Sequence, residues 1–381
     1  MNAIPLFPLP RTLVRPAAAA REELMHTRLP KYRRTEASAR AVANRQLTDR
    51  SLEIISYLEH YHLLPTSLLV RLVQGNKNIT RKHLQTLFHQ GYLRFFTFPR
   101  LINPSENYYY IDREATLDLL VDAGWAAPEQ LDYSRVRYNR DKRWYEVHHQ
   151  DERQGSLLYL HHEADISRFH FMLELACRQS RGRVELIDWQ QGPILWHTVT
   201  APKVQYLPER DLWGEQSATE RLPHRPDAFF GLRFHHRPTG AQDDYFLYER
   251  ERKTTTDRKR IVRKFRSHFH YIVKTRQHQT DYGIKSIRAV LVETPDEAWA
   301  ERLREKAAHP LVCGPKPSPL FWFVPSTTFT TAPAPIIDPD GIDLDDGSAA
   351  KPLPRFLTDP SVIFERIWKA AGERALRTLA N

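Results

Sequence analysis

Two aromatic runs separated by a polar break constrain this chain more than any other feature. The first, R-P-D-A-F-F-G-L-R-F, begins at Arg225, and the second, Y-F-L-Y-E-R-E-R-K-T, begins at Tyr245. Apolar, aromatic-rich runs of this length joined through Pro238 and Gly240 predict the two arms of an antiparallel hairpin. Asp227 opens one arm and Glu249 lies near the end of the other, so pairing the arms brings two carboxylates to one edge. Side chains alternate along a strand, which predicts Glu249, Glu251 and Lys253 on one face at roughly 6–7 Å intervals. Phe246 and Tyr248 then fall on the opposite face, toward the core. A basic segment follows, D-R-K-R-I-V-R-K-F-R-S-H-F-H-Y-I-V-K. Acids on a rigid edge beside a cationic helix point to a divalent metal and a phosphodiester.

The helix expected over Asp257–Gln277 has two faces. Ile261, Phe265, Phe269, Ile272 and Val273 form the inward stripe. Arg258, Arg260, Arg263, Lys264 and Arg266 cover the remainder and suit a phosphate backbone, although a solvated charged face has the same composition. The whole chain leans the same way. Its net charge of +10 and pI of about 9.5 favour a polyanionic partner, nucleic acid or an anionic surface. No apolar run approaches a membrane span, so insertion is not expected. The N-terminus is broken by prolines and lacks a signal-peptide core. Two cysteines, Cys177 and Cys313, build neither a disulfide framework nor a zinc site, which places the chain in a reducing cytoplasm.

Upstream, three short helical patterns and two strands follow one another. Asp49 is expected to cap a helix carrying Leu52, Ile55 and Leu58; a break at His62–Pro65 precedes a helix capped by Thr66; Thr80 caps a third that Gly91 closes. Y-L-R-F-F-T-F and N-Y-Y-Y-I then read as a hairpin. This order predicts a winged helix-turn-helix whose third helix displays Arg81, Lys82, Gln85 and His89 to the major groove. A protein-interaction module would share its apolar skeleton, and the basic, amide-bearing outer face favours DNA.

The predicted fold class is α/β. A basic flexible arm occupies 1–47, the winged helix 48–125, and a charged connector 126–160. A mixed-sheet domain spans 161–325, a Pro/Asp-rich linker 326–357 and a C-terminal helix 358–381. The connector carries Arg135, Arg137, Arg140, Lys142 and Arg143. His161, His162 and Glu163 precede a helix expected from Ile166 to Ser180. The aspartates Asp338, Asp340, Asp343, Asp345 and Asp346 lack the closing Glu of a calcium loop, and a linker is the better reading.

The Pro226-Asp227 and Glu249 pair resembles the PD-(D/E)xK nuclease core, whose order is helix, three strands, helix, strand. With the winged helix before it, the chain resembles the replication-relaxation family of plasmid-encoded proteins, which is similar to C-type mobilisation relaxases. The residues that carry this are L-T-D-R-S-L-E-I-I-S-Y-L, His162, Trp189, R-P-D-A-F-F, E-R-E-R-K-T-T, and Lys264 with Tyr271. The resemblance implies a restriction-endonuclease-like domain that nicks DNA at a plasmid or transfer origin. Asp227, Glu249 and Glu251 would hold Mg²⁺ or Mn²⁺, and replication or mobilisation proteins would be its partners. The nuclease motif wants Lys where Glu251 stands, which leaves Lys253 and Lys264 as the catalytic lysine. The alternatives are a non-catalytic DNA-binding initiator that keeps the nuclease fold, or an adaptor for protein partners. His268-Phe269-His270 matches the His-hydrophobe-His motif of rolling-circle endonucleases, with Tyr271 or one of Tyr108–Tyr110 as nucleophile. A helical pattern there turns the two imidazoles about 200° apart, which disfavours a shared metal.

Overall fold

The structure is a computed structural model that describes residues 47–73, 76–97, 107–141, 154–207, 212–253, 258–329 and 360–380. The basic arm and most of the Pro/Asp-rich stretch lie outside the described residues, as do Lys142 and Arg143. The chain forms two compact units, 1–170 and 171–381.

In the first unit, helix α1 (Asp49–Tyr61) buries Leu52, Ile54, Ile55 and Leu58. Its cap is Thr48 rather than Asp49: the Thr48 hydroxyl accepts from the Ser51 amide at 3.3 Å. The break at His62–Pro65 is a short strand, β1 (Leu63–Pro65), with both leucines buried. Helix α2 (Thr66–Leu72) follows, then α3 (Lys77–Gln90), β2 (Arg94–Thr97) and β3 (Asn107–Tyr110). Asn76 caps α3, one turn earlier than expected, because its side chain accepts from the Asn78 amide at 2.8 Å. Thr80 is therefore buried inside the helix. Gly91 closes α3 in the left-handed region at φ 84°. Strand β3 lies between β1 and β2 and is antiparallel to both.

After α4 (Glu114–Asp122), the expected connector contains a helix, α5 (Tyr133–Asp141). Arg135 on α5 is buried and ion-paired with Glu163, so it is part of a packed unit and not a solvated link. Helix α6 (Gln154–Gln179) starts well before Ile166, which places His161, His162 and Glu163 within it.

The second unit is built on a seven-stranded mixed sheet. Its elements are β4 (Val184–Gln191), β5 (His197–Leu207), β6 (Leu212–His224), β7 (Ala228–Phe234), β8 (Asp243–Arg250), α7 (Arg258–Phe269), α8 (His278–Tyr282), β9 (Ala289–Thr294), α9 (Glu297–Ala307), α10 (Pro310–Cys313), β10 (Phe321–Pro325), β11 (Trp368–Ala370) and β12 (Leu376–Arg377). The strand order is β12-β11-β10-β9-β8-β7-β4, parallel at β8/β9 and β9/β10 and antiparallel elsewhere. The α/β expectation with a mixed sheet holds. Strands β5 and β6 form a separate two-stranded ribbon between β4 and β7.

Helices α7 and α9 bury Val262, Phe265, Trp299 and Leu303 against Leu247, Val290, Val292, Phe321 and Phe323 of the sheet. That packing fixes which face of β8 meets α7: the face of Leu247 and Glu249. After Phe269 the helix widens into a π-turn, His270–Lys274, in which the Thr275 amide reaches the His270 carbonyl at 2.8 Å. The wider turn rotates the following residues, and Val273 is exposed rather than inward.

The C-terminal helix is a correction. Pro360–Phe364 is one 3₁₀ turn, and the chain then pairs as β11 and β12 on the sheet edge. Trp368 is fully buried, and Gly372 at φ 74° reverses the chain against Pro317. An added Cβ at Gly372 would stand 2.5 Å from the Pro317 side chain, so this turn takes glycine on two counts.

Candidate active site

The sheet places the candidate acids at the carboxyl ends of the parallel strands β8 and β9, where open α/β sheets form their crevices. Asp227 sits at the start of β7, directly across from the end of β8. Its amide donates to the Tyr248 carbonyl at 3.1 Å, and its Oδ2 accepts from the Arg250 amide at 2.7 Å. The hairpin register, Ala228 opposite Tyr248, is what brings Asp227 level with Glu249. Glu249 has no exposed surface.

Helix α7 closes over these acids. Lys264 Nζ stands 2.5 Å from Glu249 Oε2 and 2.6 Å from Glu251 Oε1. One helical turn on, His268 Nε2 lies 2.8 Å from Glu249 Oε1. Lys264 forms a close ion pair with Glu249, and neither contact to Glu249 is aligned as a hydrogen bond. Burial alone would lower the Lys264 pKa. Glu249, Glu251 and Asp227 together outweigh it and hold the ammonium well above the usual lysine range. All three acids therefore act on one lysine. The Lys264 side chain remains about one-third exposed at 35%, so the cluster opens to solvent on its side.

Of the two lysines the sequence left open, Lys264 meets the acids. Strand β8 ends at Arg250, Lys253 adopts φ 58°, and its ammonium pairs with Asp296, the cap of α9. The shared strand face expected for Lys253 is lost because the strand stops before it.

The basic helix divides in a way its composition does not show. Arg260 and Arg263 are exposed, while Arg263 also reaches Glu220 Oε2 at 3.1 Å. Arg266 is fully buried, held 2.7 Å from Glu220 Oε1 and hydrogen-bonded to the Pro202 carbonyl. It braces the β5/β6 ribbon against α7 and does not face solvent. Arg258 begins the helix, and its side chain is outside the described residues. On α3, Arg81, Lys82 and Gln85 are exposed and His89 is half-buried, all on one face.

The tyrosines offered as nucleophiles are enclosed. Tyr271 is fully buried, donates to Asp281 Oδ2 at 2.8 Å and stacks on His224 at 3.8 Å between ring centroids. Burial raises its pKa far above that of a free phenol. Tyr108, Tyr109 and Tyr110 are buried too. His268 faces Glu249, and His270 lies on a different side of the helix turn, close to Arg266.

Sequence reasoning missed His268 as the partner of Glu249, although its i+4 spacing from Lys264 was a usable signal. It also missed a second buried network on the opposite face of β8. There Tyr248 donates to Glu293 Oε2 at 2.8 Å, Ser326 donates to Glu293 Oε1 at 2.7 Å, and Arg250 lies 3.8 Å from the same carboxylate. That network depends on the parallel β8/β9 pairing, which sets Glu293 opposite Arg250.

Among the described residues, no helix is long and apolar enough to cross a membrane. No protein-family model, no curated protein and no solved structure matches this chain.

Proposed function

We propose that this chain binds DNA and carries a metal-dependent endonuclease site that nicks it, as a protein of plasmid replication or transfer would. The observation that carries this reading is the pairing of Glu249 and Glu251 with the Lys264 ammonium at the carboxyl ends of β8 and β9, where the hairpin register sets Asp227 level with Glu249. The order α6, β4, β7, β8, α7, β9 supports it, because it follows the helix, three strands, helix, strand sequence of PD-(D/E)xK nucleases. Lys264 then serves in place of the lysine that Glu251 displaces. In the first unit, the order α1, β1, α2, α3, β2, β3 supports a winged helix-turn-helix with α3 as its reading helix.

The donor set fits Mg²⁺ or Mn²⁺. Three carboxylates offer oxygen ligands of the kind hard cations take, and they already hold one positive group, the Lys264 ammonium, between two of them. One ammonium leaves negative charge over, which a divalent ion at Asp227, Glu249 and Glu251 would neutralise. Such an ion supplies an activated water and stabilises charge on the phosphate. The chain's own groups do the rest. Lys264 pairs with a phosphate oxygen or orients the water, His268 holds the Glu249 carboxylate in place, and Arg250 fixes Asp227 through its amide.

A second reading has its own support: a nuclease fold kept as a DNA-binding platform. Glu249 is buried with both oxygens against Lys264 and His268, so the cluster also stands as a self-contained structural network. Nicking of supercoiled plasmid in Mg²⁺ or Mn²⁺ separates the two. The endonuclease reading expects Asp227→Asn and Glu249→Gln to lose nicking by about a hundredfold or more while retaining DNA affinity. Nicking that persists in both variants removes the site. A wild-type chain that binds DNA without nicking it under these ions supports the platform.

A further inference from the structure

Beside the carboxylates lies an aromatic and cationic edge that the nicking reading leaves unused. Strand β4 ends at Gln191, which pairs with Ala228, the residue after Asp227. The chain then turns through Gly192 at φ 86° and a 3₁₀ turn, Pro193–Leu195, before β5 begins at His197 opposite His224. Leu195 points into the core, whereas Ile194 and Trp196 on either side are 57% and 39% exposed. These are two of the few large apolar side chains that the described residues leave to solvent. The exposed Arg225 places its guanidinium over the Trp196 ring at 5.0 Å from the centroid. Arg225 precedes Asp227 by two residues, so their Cα atoms are no more than about 7 Å apart. Trp196, beneath the guanidinium of Arg225, and Asp227 therefore share one end of the sheet.

We propose that Trp196 and Arg225 form a stacking platform for an unstacked base of single-stranded DNA next to the carboxylate site. The inference rests on the DNA-cleaving reading and specifies its substrate as a strand with exposed bases. Stacking on an indole requires a base face that duplex DNA hides, and every base offers one, so the contact selects strandedness rather than sequence. The guanidinium adds the complementary charge: it lies against the ring and can meet the adjoining phosphate. A protein partner would not need a cation on the ring beside a phosphodiester site, and the chain's net charge of +10 favours a polyanion.

The test is equilibrium binding of the full chain to a labelled single-stranded oligonucleotide and to its duplex, by fluorescence anisotropy in chelator, so that cleavage plays no part. Trp196→Ala should weaken single-strand binding by about five- to a hundredfold, the range of one base–aromatic stack, and leave duplex binding unchanged. Trp196→Phe should retain most of the affinity. Arg225→Gln provides a second variant that keeps the ring, and it should weaken single-strand binding with a shallower salt dependence. Unchanged single-strand affinity in Trp196→Ala overturns the platform, even if plasmid nicking is intact. An equal loss on both DNA forms overturns it as well. A wild-type chain that binds neither form overturns the platform together with the DNA reading.

Discussion

His224 shows how a single side chain ties the candidate site to the packing beneath it. It is fully buried, stacked on Tyr271 and set edge-on to His268 at 4.8 Å, with His197 nearby. Burial first, then the charges His268 and His197 would carry, push its pKa well below the usual imidazole value. The unfolded chain therefore binds a proton that the folded chain refuses. Stability from this group is intact above the unfolded value of about 6.5 and is lost as pH falls below it, with a slope of up to about 1.4 kcal/mol per pH unit. His224→Phe keeps the stack on Tyr271 and removes the titration, so its unfolding free energy should fall less steeply on acidification than that of the wild type. Urea unfolding across this range is the measurement, and parallel pH profiles would assign the acid sensitivity to other groups, such as the half-buried His62, whose pKa is also lowered. At this scale the sequence placed Asp227 and Glu249 at one edge of the hairpin and left the lysine open. It could not choose between Lys264 and Lys253, because the choice depends on where β8 stops.

Elements were legible where periodicity and punctuation agreed. The β7/β8 hairpin, the basic helix and the strands at Val184, Ala289 and Phe321 all lie where alternation or helical spacing places them. The C-terminal segment was not legible. Ile363, Ile367, Trp368 and Ala371 fit a helical stripe, but Trp368 and Ala370 alternate equally well, and short apolar runs do not distinguish the two periods. The edge of β10 decided it by offering unpaired backbone groups to Trp368–Ala370. Because Trp368 fills the core beside Phe329 and Ile363, Trp368→Ala should cost about 3–5 kcal/mol. A urea midpoint unchanged by that substitution would show that the hairpin contributes nothing to the second unit.

For the whole molecule, the positive balance matters through its distribution. If DNA is the partner, binding should weaken linearly on a log–log plot against salt, and Arg260→Ala should lower that slope by about one. Arg266→Met should leave the slope unchanged and lower the unfolding midpoint instead, since Arg266 is sealed against Glu220 and Pro202. Filter binding over a salt series, beside thermal unfolding of each variant, checks both. Equal slopes for wild type and Arg260→Ala would remove α7 from the DNA surface. The burial of Arg266 also explains why composition overstated the exposed basic face: a run of arginines on an amphipathic helix does not reveal which of them a neighbouring ribbon will cover.

By itself the sequence determined the α/β class, the hairpin that carries the two distant acids, and the cationic helix that follows them. Those features are written in local periodicity, turn residues and charge, which act within a few residues. Tertiary structure alone decided that β8 ends before Lys253, that α7 delivers Lys264 and His268 to Glu249, and that Arg266 is buried. Each depends on pairing between strands remote in the chain, and no local signal encodes the register of such a pairing.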